Sequence, residues 1–139
     1  MSKLVIITHK EIYSGKKKKS FATTGGFPFQ IKMISKLFSS TSLLCTLRDN
    51  SQIDNLTEIK GKNLSIVALK EPPFNKYKRH LSLLIWLPKN LKTILKHIKS
   101  ADIVHSMIPG DIGLIGLLIA LFLKKKIFVR HCGTWGNKT

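Results

Sequence analysis

Residues 101–137 read ADIVHSMIPGDIGLIGLLIALFLKKKIFVRHCGTWGN. A short apolar stretch at 102–105 runs into a polar turn holding Pro109 and Gly110. A wholly apolar run follows at 112–123, then a lysine turn, then a second short apolar stretch at 127–130. The long run has helical length, and the two short stretches have the length and β-branched content of buried strands. The unit is therefore read as β-α-β, with its two strands parallel. Both strands of such a unit end on one edge of the sheet, where open α/β folds take their ligands. The polar residues after His105 and from His131 onward are thus predicted to meet in one cleft.

The same alternation continues toward the N-terminus. Residues 4–8 (LVIIT), 42–47 (SLLCTL) and 64–69 (LSIVAL) are continuous apolar runs, the pattern of strands buried on both faces. Gly25 and Gly26 introduce a helix with Pro28 in its first turn, a position where its missing N–H costs nothing. Phe27, Ile31, Ile34 and Phe38 recur at helical spacing within it. Residues 80–86 and 91–99 read as helical, and Pro88 either begins the second piece or kinks one longer helix. Residues 9–24, with four consecutive lysines at 16–19, read as a solvated loop, and residues 48–63 as a connection. The sum is α/β: one domain built on an open parallel sheet of five main strands in the order 3-2-1-4-5, with helices on both faces. Gly113 and Gly116 fall near one face of the last helix, where missing side chains permit close approach to the sheet.

Composition narrows the partners. The chain has 139 residues, enough for one real core, and 24 basic residues against seven acidic ones, a formal net charge of +17. Only Arg48, Arg79 and Arg130 are arginine. Lysine is a point charge, whereas base readout favours the arginine fork, so the excess fits an anionic membrane surface better than nucleic acid. A basic nucleic-acid module stays the rival class without a motif to support it, and biased composition accounts for the lysines equally well. Cys45 and Cys132 form no disulfide framework or metal spacing, Cys45 reads as a core thiol, and the pattern fits a reducing cytoplasm. The run 112–123 is shorter than the roughly 20 residues that span a bilayer, so it reads as a core helix. Asp111 reads as a cap for that helix. His131 and Cys132 are neighbours in extended chain, pointing to opposite faces, so they make no catalytic pair.

Three segments, TTGGFPFQIKMISKLF (23–38), SADIVHSMIPGDIGLIG (100–116) and IFVRHCGTWGN (127–137), resemble the N-terminal domain of a retaining glycosyltransferase of the two-Rossmann type, the group 1 or family 4 enzymes. The resemblance implies a Rossmann-like, acceptor-binding domain of an enzyme that moves a sugar from a nucleotide-sugar donor to a lipid-linked or saccharide acceptor. It places Gly25 and Gly26 near the donor phosphates and His131 at the reaction centre as the catalytic residue. His105, Gly133 and Trp135 are expected to bind substrate, Trp135 by stacking on a sugar ring. It implies no metal and no cofactor beyond the donor as co-substrate. In such enzymes a second domain holds the donor and carries a glutamate-rich motif, which Glu11, Glu58 and Glu71 do not match. The chain is therefore expected to be an N-terminal piece, incomplete at its C-terminus and inactive alone. The expected partner is a second polypeptide carrying the donor domain, with a non-catalytic subunit of a split enzyme as the alternative. The expected location is cytoplasmic, at the inner face of the membrane.

Overall fold

A computed structural model gives the fold. It describes residues 2–14, 20–48, 55–72 and 79–131. Lys16, Lys17, Lys18, Lys19, Cys132, Gly133 and Trp135 lie outside the described residues.

Five parallel strands form the body of the sheet: β1 (Lys3–Ile7), β4 (Ser40–Arg48), β6 (Leu64–Leu69), β7 (Ile103–Ile108) and β8 (Lys126–His131). Their pairing runs β6-β4-β1-β7-β8, so the main strands stand in the predicted order 3-2-1-4-5. The order reverses at β1, which pairs with β4 on one side and β7 on the other. Leu4, Val5, Ile6 and Ile7 are all buried there, as a strand covered on both faces requires.

The helices are α1 (Phe27–Ser35), α2 (Arg79–Ser100) and α3 (Asp111–Phe122). One core joins α2 and α3 to Val5, Ile7, Leu44 and Val104. The other joins α1, through Ile31, to Leu4, Ile6, Leu43 and Cys45. Alternate residues of β1 and β4 enter opposite cores, the period of two that a strand imposes. Cys45 is fully buried, and burial pushes its thiol pKa up to about 12, which keeps it an inert core side chain.

Pro88 lies inside one continuous α2. The ring deprives the helix of one N–H, and the neighbourhood is held by other bonds. Asn90 accepts from the Lys70 amide at 2.8 Å and donates to the Trp86 carbonyl at 3.1 Å, while Trp86 Nε1 donates to the Lys70 carbonyl. These bonds tie the helix to the end of β6. On α3 the two glycines face the sheet as the sequence indicates. A Cβ on Gly113 would stand 2.0 Å from the Met107 carbonyl oxygen, and one on Gly116 would stand 2.5 Å from Ile7 Cδ1.

The stretch 9–24 is not simply a loop. It contains β2 (Ile12–Ser14) and β3 (Phe21–Thr23), antiparallel to each other, and β3 also pairs with β5 (Thr57–Glu58). β2 continues along the same side of β4 that β1 occupies, with Ile12 opposite Leu47. Arg48 then bonds Glu11 at 2.5 Å and Glu71 at 3.0 Å, drawing β2, β4 and the end of β6 together. Among the described residues no helix is long and apolar enough to cross a membrane.

Candidate functional site

The carboxyl ends of β1, β7 and β8 open into a crevice of about 410 Å³. It lies where the strand order reverses, the position at which open parallel sheets splay their loops apart and leave room for a ligand. Thr8, His9 and Lys10 come from the loop after β1, Met107 and Pro109 from the end of β7, and Arg130 from β8. Phe27 and Gln30 of α1 close the remaining side.

Local bonds fix this shape. The Thr8 amide donates to the Leu44 carbonyl at 3.2 Å, which carries the sheet pattern one residue past β1. The Lys10 amide then donates to Thr8 Oγ1 at 3.0 Å, a hydroxyl turn that holds the Lys10 backbone at the rim. Lys10 Nζ reaches Thr24 Oγ1 at 3.3 Å, just before the glycine pair. Arg130 Nη1 donates to Gln30 Oε1 at 2.7 Å, spanning from the last strand to α1. The crevice thus carries two fixed cations, Lys10 and Arg130, over an apolar floor of Phe27 and Met107. Among the described residues no acidic side chain lines it. This arrangement suits a ligand that joins an anionic group to an apolar or saccharide surface.

Gly25 and Gly26 stand beside this crevice at the start of α1. Gly25 has φ +78°, a left-handed conformation that favours glycine, and Gly26 is the helix N-cap. A Cβ on either would meet nothing within 4 Å, so both keep open space in front of the helix terminus.

The two histidines do not converge. β7 runs three residues past the predicted strand end, so His105 lies inside it, opposite Phe128. It is fully buried, and its ring packs on Phe128 with centroids 4.7 Å apart. Burial, with Arg130 nearby, lowers its pKa to about 4 and keeps it neutral. His131 ends β8 opposite Ile108 and is exposed. Register positions three residues apart fall on opposite faces, so His131 belongs to the α3 side and His105 to the α1 side. His131 does share the carboxyl edge with the crevice, one position before the level of Pro109. Asp111 is the first residue of α3, behind Gly110 at the N-cap position, and no side chain caps that helix by a hydrogen bond.

His9, Lys10 and Arg130 were not singled out by sequence. The available signal was the rule that residues just past the ends of the two central strands face the crevice, applied to ITHK as well as to the end of the last strand. Among the described residues no three of His, Cys, Asp and Glu stand close enough to share a metal ion. Comparison with protein-family models, curated proteins and solved structures finds no match to this chain.

Proposed function

We propose that this domain binds the acceptor for sugar transfer from a nucleotide-sugar donor, holding an anionic group of the acceptor between Lys10 and Arg130. The observation that supports this reading is the cationic crevice at the reversal of strand order, bordered by the glycine-led start of α1. Lys10 and Arg130 bind and orient. Phe27 and Met107 supply an apolar surface that strengthens those charges by excluding water. His131, at the same edge, remains the proposed reaction-centre group on the strength of the resemblance. The donor is held chiefly by a second domain or polypeptide, so the activity belongs to the assembly. The working place is the inner face of a membrane, where a lipid-linked acceptor and the basic surface would meet.

The experiment has two parts. Phosphate esters are titrated into the chain and followed by NMR at Lys10, Gln30 and Arg130. Label transfer from nucleotide sugars to a phosphate-bearing acceptor is then assayed with the chain and the polypeptides that co-purify with it. Phosphate-dependent shifts at the crevice, lost in Lys10→Ala/Arg130→Ala, together with transfer, support the reading. Robust transfer by the single chain overturns the split arrangement, and indifference of the crevice to phosphate esters overturns the acceptor site.

A further inference from the structure

α3 has two unlike faces. Ile112, Gly113, Gly116 and Ala120 are buried on the sheet side. Leu114, Leu118, Leu121 and Phe122 lie on the outer side and are 49%, 56%, 56% and 85% exposed. From Ile112 to Leu123 the sequence holds no polar side chain. Positions 111, 114, 118, 121 and 125 follow at spacings of three and four, the seam of a helix pair. Large apolar side chains grouped this way mark a surface that another molecule covers.

Charge selects the occupant. The seam begins at Asp111 and ends at the lysine turn Lys124, Lys125 and Lys126. Two copies with antiparallel α3 helices, related by a two-fold axis at Leu118, set Leu114 of each against Phe122 of the other. The same arrangement puts Asp111 of each beside the lysine turn of the other and opposes the helix dipoles. A parallel pair would bring the two lysine turns together. α2 lies beside α3 in the same layer, and both run against the strands, as right-handed crossovers require. The outer face of α2 is apolar in its first half, with Leu81, Leu84 and Ile85 exposed, and basic in its second, with Lys89, Lys92 and Lys96 exposed. Antiparallel stacking keeps the lysine halves apart and lays their aliphatic stems on the partner's apolar half. A stable interface needs roughly 800 Å² per partner, more than one helix about 18 Å long presents, so both helices take part.

We infer that the outer α2–α3 layer is the interface of a homodimer, with the two α3 helices antiparallel and Leu118 on the two-fold axis. The crevice is closed by α1, which packs on the opposite face of the sheet, so this pairing leaves it open in both copies. The inference goes beyond the acceptor reading and does not depend on it.

The test is sedimentation velocity of the full chain over a range of protein and salt concentrations. The net charge of +17 repels the two copies at long range, so association is expected to tighten as salt is raised, the reverse of binding to an anionic surface. Leu118→Glu changes an exposed position and sets two carboxylates face to face at the axis. It should weaken the dimer by about 30-fold or more with circular dichroism unchanged. On a Cys132→Ser background, Leu118→Cys should cross-link to itself on oxidation, and Leu114→Cys should cross-link to Phe122→Cys in preference to itself. A chain that stays monomeric, or a dimer that Leu118→Glu leaves intact, overturns the inference. Self-linking of Leu114→Cys as readily as linking to Phe122→Cys overturns the antiparallel register. A monomer that sediments with phosphatidylserine vesicles and loses that binding in Leu118→Glu assigns the face to a membrane and overturns the dimer. None of these results depends on phosphate binding at Lys10 and Arg130, so the crevice reading stands or falls separately.

Discussion

Arg130, near the end of β8, donates a 2.7 Å hydrogen bond to Gln30 on α1, a residue 100 positions earlier in the chain. The bond does more than join a strand to a helix. It holds a guanidinium at the crevice through a neutral amide, which adds no charge of its own. An acidic residue at position 30 would hold the arginine as well and remove the positive field.

That contrast is testable. Gln30→Glu should leave the fold intact and weaken phosphate binding at the crevice by about tenfold, the effect of about 1.4 kcal/mol from a carboxylate placed beside the ligand. Gln30→Ala should weaken it far less, because the crevice keeps both cations. Titration of inorganic phosphate followed by NMR at low salt checks both. Equal losses in the two variants would mean that the hydrogen bond, not the charge, is what matters.

The two glycines of α3 make unequal demands. A methyl at Gly113 would drive into backbone, the Met107 carbonyl oxygen at 2.0 Å, whereas one at Gly116 meets the flexible end of the Ile7 side chain at 2.5 Å. The Ser106 hydroxyl also donates to the Gly113 carbonyl at 2.6 Å, fixing the helix against β7. Gly113→Ala should therefore cost about 3 kcal/mol or more and Gly116→Ala about 1–2 kcal/mol, the span expected for overpacking. Urea unfolding monitored by Trp86 fluorescence separates them. A Gly116 variant less stable than the Gly113 variant would contradict this packing.

His105 makes stability depend on acidity. Its folded pKa of about 4 lies below the ordinary 6.5, because burial and the neighbouring Arg130 oppose its charged form. Above pH 6.5 neither state is protonated, and the full stability is present. Between about pH 6.5 and 4 only the unfolded chain takes the proton, so stability falls as pH is lowered across that window. The loss approaches about 3 kcal/mol at 1.36 kcal/mol per pKa unit. His97, half-buried with its pKa lowered by burial and Lys96, adds a slope of the same sign. Unfolding free energies measured from pH 7.5 to 4.5 should therefore fall less steeply in His105→Leu than in the wild type. Parallel slopes in the two proteins would show that His105 titrates normally in the fold.

The large frame was legible because its strands are long apolar runs and its last helix has no polar face. The strand order follows from the alternation of strands and helices with right-handed crossovers. The small hairpin was not legible. IYS and FAT are three-residue strands on either side of a lysine run, too short to show a period of two. Their burial depends on contacts with Leu47, Arg48 and the distant Thr57 and Glu58, which local sequence does not carry. The end of β7 was misread because SMI before Pro109 resembles a loop entry, although Ser106 is buried and bonded to α3. That three-residue difference moves His105 from the sheet's edge to its interior. Strand parity would have separated the two histidines once the register of β7 against β8 was known, and register is a tertiary fact.

The last prediction separates binding from chemistry at the carboxyl edge. Arg130 and His131 are adjacent in β8, and adjacent strand residues point to opposite faces. Arg130 lines the crevice on the α1 side, so Arg130→Ala should weaken acceptor binding and raise KM, with a smaller effect on kcat. His131 lies on the other side of the same edge, and under the proposed function it is the reaction-centre group, placed to donate a hydrogen bond to a sugar or phosphate oxygen. In the transfer-competent assembly His131→Ala should then lower kcat by about 100-fold or more, the range for a lost acid–base or positioning group, with phosphate binding unchanged. Steady-state kinetics of the two variants, beside phosphate titration of each, tests the division. If His131→Ala retains full kcat while the protein stays folded, His131 has no part in the reaction, and the chemistry belongs to residues on the α1 side of the sheet. If Arg130→Ala changes only kcat, the crevice cation acts on the reacting atoms and does not serve to hold the acceptor.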